Sequence, residues 1–198
     1  MEPACRPLLV FPCDSSYVIL RMIERFQEMG GVKFLAIDFE TADYEPDSAC
    51  AVGLVRVENG LITRREYYLI KPPRKNFIFS YLHGIRWEDV HHKPTFARIW
   101  PRMHRMMDGV DFLAAHNARF DMGVLHACCR RYQIQVPEIP FQCTMLLSRR
   151  IWRIYPTNLP AVCRHFNIPL DHHNAASDTE ACAQIMIHAL NDTSFISG

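Results

Sequence analysis

The sequence predicts an α/β fold in which helices cover a mostly continuous sheet, and three observations carry that expectation. Two short apolar runs, Phe34-Leu35-Ala36-Ile37 and Phe112-Leu113-Ala114-Ala115, lack polar alternation and so suit central strands buried on both faces. Residues 51–57 and 61–70 read as strands joined at Glu58-Asn59-Gly60, whose Asn-Gly pair is a hairpin signal. Farther along, apolar residues recur at helical rather than strand spacing.

The elements follow in order from the same patterns. Ile19, Met22, Ile23, Phe26 and Met29 keep helical spacing after Asp14-Ser15-Ser16 until Gly30-Gly31 stops them, so residues 1–31 are expected to form an extension with one helix packed on the domain. The strand at Phe34 runs directly into Asp38 and makes a three-stranded meander with the hairpin. Residues 77–87, FIFSYLHGIRW, break the strand pattern and read as a loop with a short helical turn. From Pro94, the residues Phe96, Ile99, Trp100, Met103 and Met107 mark a helix that Asp108-Gly109 ends. After the second buried strand, HNARFD opens a helix with Val124, Leu125 and Cys128 on one side. Shorter helices are expected near 144–152 and 157–166, and a last one over about 175–190. These bounds give one domain, 32–191, followed by a short tail, 192–198, with no internal repeat or low-complexity tract.

Composition narrows the function. At 198 residues, 49% hydrophobic and 22% charged, the chain supplies one well-packed core and is short for two. A net charge of +1 and a pI near 7.7 argue against coating long stretches of nucleic-acid backbone, though a small footprint on a strand end remains compatible. The eight cysteines contain no C-x-x-C pair, and Cys128 and Cys182 sit in apolar helical patterns. Buried free thiols are therefore expected instead of a disulfide or zinc framework, which fits a reducing cytoplasm. MEPACRPLLVF has no basic n-region, and no segment approaches the ~20 apolar residues of a membrane span, so a soluble, cytoplasmic chain with no membrane partner is expected.

Five residues on three separated segments stand apart: Asp38 and Glu40 in FLAIDFET, Asp121 in HNARFD, and His173 with Asp178 in HNAASD. Residues two apart on a strand share a face, so Asp38 and Glu40 present repelling carboxylates side by side at the strand's exit. Asp178 shares a helical stripe with Cys182, Ile185 and Ala189, and Asp121 aligns with Leu125 and Cys128, which turns both acids toward the core. Too few Lys or Arg residues are placed to neutralise four such acids, and divalent cations remove the conflict. Oxygen-only ligands favour Mg²⁺ or Mn²⁺ over zinc, and two ions are expected, able to activate water on one side of a phosphodiester and stabilise the leaving oxygen on the other. His173, at the entrance of the last helix, could reach the attacking water as a general base near neutral pH.

DFET, HNARFD and H-x(4)-D together resemble the three motifs of the DEDDh branch of the DnaQ-like 3′→5′ exonucleases, over about residues 33–190. The resemblance implies a ribonuclease H-like fold, a five-stranded mixed sheet with helices on both faces, two metal ions, and release of nucleoside 5′-monophosphates from 3′ ends. It implies that Asp38 bridges both ions, that Glu40 and Asp178 hold the water-activating ion, that Asp121 supports the second, and that His173 is the general base. It further implies that Thr41, Ala42, Gly84 and Ile85 seat the terminal nucleotides and that Asn117 supports the second motif. Single-stranded DNA is the expected substrate, in proofreading or repair, with trimming of RNA or oligoribonucleotides as the nearest alternative. A non-catalytic strand-end binder or polymerase accessory module is the alternative of another class. Only Asn191 to Gly198 follow the last helix, unlike the long polymerase-binding tail of the bacterial proofreading subunit, so a polymerase partner is not expected unless residues 1–31 attach it.

The remaining chemistry-bearing residues have plainer readings. Phe77, Phe79, Tyr81 and Trp87 could stack bases, but core packing is expected to claim most of them. Arg149, Arg150 and Arg153 read as a solvated helix face, with phosphate binding as the alternative, and His172 as a solvated neighbour of the motif histidine. His83, His91, His92 and His116 show no metal-binding spacing, and His116 is expected to orient the second motif.

Overall fold

Five strands form one mixed sheet: β1 (Lys33–Thr41), β2 (Ala49–Glu58), β3 (Leu61–Leu69), β4 (Phe112–Ala115) and β5 (Phe141–Cys143), in the spatial order β3-β2-β1-β4-β5. The computed structural model describes residues 31–192, and the helix expected within 1–31 lies outside the described residues. The β1-β2-β3 meander is antiparallel, whereas β4 and β5 join parallel to β1. The hairpin between β2 and β3 turns at Asn59 and Gly60, with φ of 54° and 76°, the left-handed pair that matches the twist of adjoining strands.

Seven helices occur among the described residues: α1 (Ser80–His83), α2 (Trp87–Val90), α3 (Phe96–Met107), α4 (Ala118–Arg131), α5 (Thr144–Ile151), α6 (Leu159–Phe166) and α7 (Ala175–Asn191). Alternation along β1 decides which of them it meets. Leu35, Ile37 and Phe39 pack with Val52 and Leu54 against Phe96, Ile99 and Met103 of α3 and Val124 and Leu125 of α4. Phe34 and Ala36 face the other way, with Val55, Val57, Phe112 and Ala114, onto Leu147 of α5 and Cys182 and Met186 of α7. The Phe34 and Phe112 rings stack on this face with centroids 5.2 Å apart. Helices thus cover both faces, and burying each large apolar side chain contributes about 1.5–3 kcal/mol. Helix α6 packs outside this layer, through Leu159, Val162 and Cys163 against Ala181 and Ile185 of α7.

Several expectations need correction. Phe141–Cys143 was not read as a strand from its residues, because three residues show no period, and it forms the parallel edge β5. Residues 77–87 hold the expected short helical turn at Ser80–His83, and a second short helix, Trp87–Val90, starts at the end of that segment. Phe77, Phe79, Tyr81 and Trp87 are not core: none is buried, and Tyr81 is 77% exposed. Arg153 lies beyond α5 at φ 53°, so the three arginines do not make one helix face. Among the described residues the six cysteines are free thiols, five of them buried, and no helix is long and apolar enough to cross a membrane.

Candidate active site

Even-numbered positions of β1 point toward α7, and past Ala36 the core residues give way to Asp38 and Glu40. Opposite Asp38 in the ladder stands Gly53, where a β-carbon would overlap the carbonyl oxygen of Ala175 and the hydroxyl of Thr179. A glycine inside a strand commonly marks such a close approach. It lets the first turn of α7 settle on the sheet and carry Asp178 to the two strand acids. Oxygens of Asp38, Glu40 and Asp178 lie within 4.8 Å of one another.

Asp121 arrives from the opposite layer. It sits in the first turn of α4, directly after β4, and its Oδ1 accepts the backbone N–H of Phe39 at 3.0 Å. That bond ties α4 to β1 between the two strand acids. Helix α4 is entered through Asn117, which is exposed and held at φ 75° without a side-chain cap. His116, just before it, bridges Thr144 Oγ1 and the Thr157 carbonyl, each at 2.9 Å. Burial pushes its pKa down to about 4, so the bridging imidazole is neutral. It joins the second-motif loop to α5 and to the segment ahead of α6.

Burial raises the pKa of all four carboxyls. Asp38 is pushed well above the carboxylate range by burial and then by Asp121, Asp178 and Glu40. Glu40 rises to about 8 through burial, Asp178 and Asp121. Asp121 is raised by burial despite the Phe39 N–H, and Asp178 by burial despite His172 and the His173 backbone N–H. Two carboxylate oxygens, Asp121 Oδ2 and Asp178 Oδ1, are buried with no hydrogen-bond partner. Four clustered carboxyls, two of them with an orphaned buried oxygen, fit a divalent-cation site.

His173 stands at φ 68° at the mouth of this cluster, and its backbone N–H donates to Asp178 Oδ2 at 3.1 Å. Burial and then His172 lower its pKa, which favours the neutral, proton-accepting ring. His172 is not merely solvated, as its spacing suggested: its Nδ1 lies 3.0 Å from the same Asp178 Oδ2, and its ring stacks on His173 at 3.9 Å. Both rings line a cavity of about 500 Å³ with Tyr67, Leu82, His83 and Ile85.

Of the expected substrate contacts, Ile85 lines this cavity. Gly84 caps α1 at φ 74°, and Ile85 follows it. His83 accepts the Ile85 N–H at Nδ1, 3.0 Å, which leaves Nε2 to donate to the Thr41 carbonyl at 3.2 Å. Thr41 is buried, and Ala42 is fully buried with its carbonyl accepting the N–H groups of Ile78 and Phe79. The Ala42 N–H donates to the Ser48 carbonyl at 2.9 Å, so both of its backbone polar groups are engaged within the protein. A bulge between Glu40 and Thr41 re-aims the chain here, and the following loop is clamped by Arg74 on Asp43 and Asp47 and by Arg131 on Asp47 at 3.1 Å. Gly53, His172 and this clamp were not read as site residues from the sequence. Only Gly53 carried a local signal, an isolated glycine inside a strand.

The chain resembles known proteins in sequence and in fold. The chain is 25% identical to a PolC-type DNA polymerase III of Thermotoga maritima over 173 residues, which are 85% of this chain and 13% of the relative. It is 28% identical to the 3′-5′ exonuclease DinG of Bacillus subtilis, over 82% of this chain and 18% of the relative. The chain thus spans less than a fifth of the length of these two relatives. Exonuclease X in complex with 5′ overhanging duplex DNA superposes with a TM-score of 0.65 at 25% identity, covering 81% of this chain and 92% of that one. The nuclease domain of 3′hExo, a DEDDh family member bound to rAMP, shares the fold at a TM-score of 0.69 and 16% identity, covering 83% and 94%. The five-stranded mixed sheet is that of the ribonuclease H-like exonucleases. The RNase_T exonuclease family model matches residues 35–186, and the chain belongs to that family.

Proposed function

We propose that the chain hydrolyses phosphodiester bonds at the 3′ end of single-stranded DNA, releasing nucleoside 5′-monophosphates. The observation that carries the reading is the convergence of Asp38, Glu40 and Asp178 within 4.8 Å, with Asp121 bonded to the Phe39 N–H beside them. Exonucleases of this family use divalent metal ions, and an all-oxygen set selects Mg²⁺ or Mn²⁺. Asp38 would be shared between two ions, with Glu40 and Asp178 on the water side and Asp121 on the other. Bound there, the pair supplies Lewis-acid activation of water and stabilisation of the departing oxygen.

The chain's own residues do the rest. His173, neutral near pH 7, accepts a proton from the attacking water as its oxygen forms the new bond to phosphorus. The bond from phosphorus to the 3′-oxygen of the preceding nucleotide breaks, and that oxygen takes up a proton to leave a new 3′-hydroxyl. Ile85 and the backbone around Thr41 and Gly84 seat the terminal nucleotide, with His83 holding the two segments in register. Kinship with a DNA polymerase and the likeness to an exonuclease bound to DNA favour deoxyribose.

The test is digestion of end-labelled DNA and RNA oligonucleotides of matched sequence with Mg²⁺ or Mn²⁺, reading polarity and product. Mononucleotides released from the 3′ end of single-stranded DNA are expected. Faster cutting of RNA would move the substrate to the ribose class. An uncut strand that the Asp38→Ala variant binds as tightly as the parent would make the chain a strand-end binder.

A further inference from the structure

We infer that His172, His173 and Asp178 form a second kind of cation site, with two nitrogens and one oxygen, which takes a borderline transition ion such as Zn²⁺ and blocks hydrolysis when filled. One ligand atom from each of the three lies within 4.8 Å of the other two. His172 Nδ1 and Asp178 Oδ2 are already 3.0 Å apart, where ligands of a tetrahedral zinc at ~2.0–2.2 Å would be separated by roughly 3.4 Å. Replacing the shared proton by an ion thus asks for an opening of only a few tenths of an ångström.

The segment bearing the imidazoles is held at both ends. Ser177 Oγ accepts the Asp171 N–H at 2.8 Å, and the Asn174 side chain donates to Asp171 Oδ2 and accepts the Ala176 N–H. The two rings are stacked and face the cavity, and the His172 side chain, 38% exposed, gives an ion a way in. Donor chemistry separates this site from its neighbour. Asp38 and Glu40 offer hard oxygens suited to Mg²⁺ or Mn²⁺, whereas two imidazoles shift preference toward zinc. Because Asp178 belongs to both groups, an ion between the imidazoles withdraws it from the acids. The same ion occupies the His173 lone pair that would receive a proton.

The inhibitory consequence rests on the proposed exonuclease function, but binding can be read without nucleic acid. Zinc titration of the full chain against a chromophoric chelator is expected to show one site that weakens tenfold or more in His172→Ala and likewise in His172→Gln. Substituting Co²⁺ is expected to give ligand-field bands without thiolate charge transfer. In Mg²⁺-supported digestion, the zinc concentration that halves each protein's own rate should rise at least tenfold from parent to His172→Ala. Equal zinc affinity in parent and both variants, or a cobalt-thiolate band, would overturn the site. A chain that binds zinc through His172 yet cuts no strand would overturn the proposed function and leave the site standing. A chain that cuts strands and ignores His172 in binding zinc would do the reverse.

Discussion

Gly53 lies beneath the carbonyl of Ala175, so the residue paired with Asp38 in the sheet is also the one on which the last helix rests. A β-carbon there would sit 2.8 Å from the Ala175 carbonyl carbon, and the obstacle is backbone, which cannot rotate aside. Gly53→Ala is expected to lift the first turn of α7, cost about 1–3 kcal/mol of stability, and weaken metal binding by moving Asp178 away from Asp38. Denaturant unfolding with and without Mn²⁺ reads both effects, and an unchanged protein would mean that α7 yields easily.

Removing metal should make the folded chain sensitive to alkali. Glu40, ordinarily near 4.5, is held at about 8 in the fold by burial, then Asp178 and Asp121. Its folded pKa exceeds its unfolded one, so the stability linked to its proton is complete below the unfolded value and is lost as pH rises through about 8. In chelator, the melting temperature is expected to fall from about pH 5 to about pH 8, and Mn²⁺ should restore more at the higher pH, since ligands must shed protons to bind. Asp38→Ala should abolish both the restoration and cleavage.

His173→Ala should separate chemistry from metal loading. Loss of a general base lowers turnover by about 10²–10⁴-fold. The four carboxylates remain, so Mn²⁺ affinity measured in the absence of zinc should change far less. An equal loss of both would count against the proton-accepting role.

His116 predicts the acid limb of the stability curve. Its pKa is pushed from 6.5 down to about 4 by burial, so the folded state resists a proton that the unfolded chain accepts. Stability is therefore complete above about pH 6.5 and falls as pH drops toward 4, by at most about 3 kcal/mol. Thermal melts of His116→Asn should show a shallower fall over that window.

Arg74→Ala should loosen the loop that follows β1. Burial pushes the Asp43 carboxyl up, but the Arg74 bond and those from Glu45 and Ser48 outweigh it and hold the pKa below the usual range. Without Arg74, the nearly buried Asp43 carboxylate loses its charged partner, at a cost of about 1–3 kcal/mol. Amide exchange across residues 42–48 should quicken, while residues 112–115 stay protected.

The sequence made the four clustered acids legible because two periodicities act on them. Alternation put Asp38 and Glu40 on one face, and helical spacing turned Asp121 and Asp178 inward. The apolar runs and the Asn-Gly turn likewise placed β1 to β4. What escaped depends on contacts between distant segments. Strand β5 is too short to show a period, His172 gains its partner only when the loop before α7 folds back, and Gly53 matters only because α7 crosses it. The aromatics at 77–87 were misassigned to the core because composition says how apolar a segment is and not what lies above it.

His83 holds the backbone at Thr41 and at Ile85 with the two nitrogens of one ring. The exit of the first strand and the segment at Ile85 therefore cannot drift apart without breaking a bond at one of those nitrogens. Under the proposed function, a strand end that enters would meet a seat whose ordering entropy was already spent during folding, so little of its binding energy would go into shaping the protein. In such an exonuclease, rigidity of this kind would favour rapid exchange of one terminal nucleotide for the next over a slow closing motion at each cut.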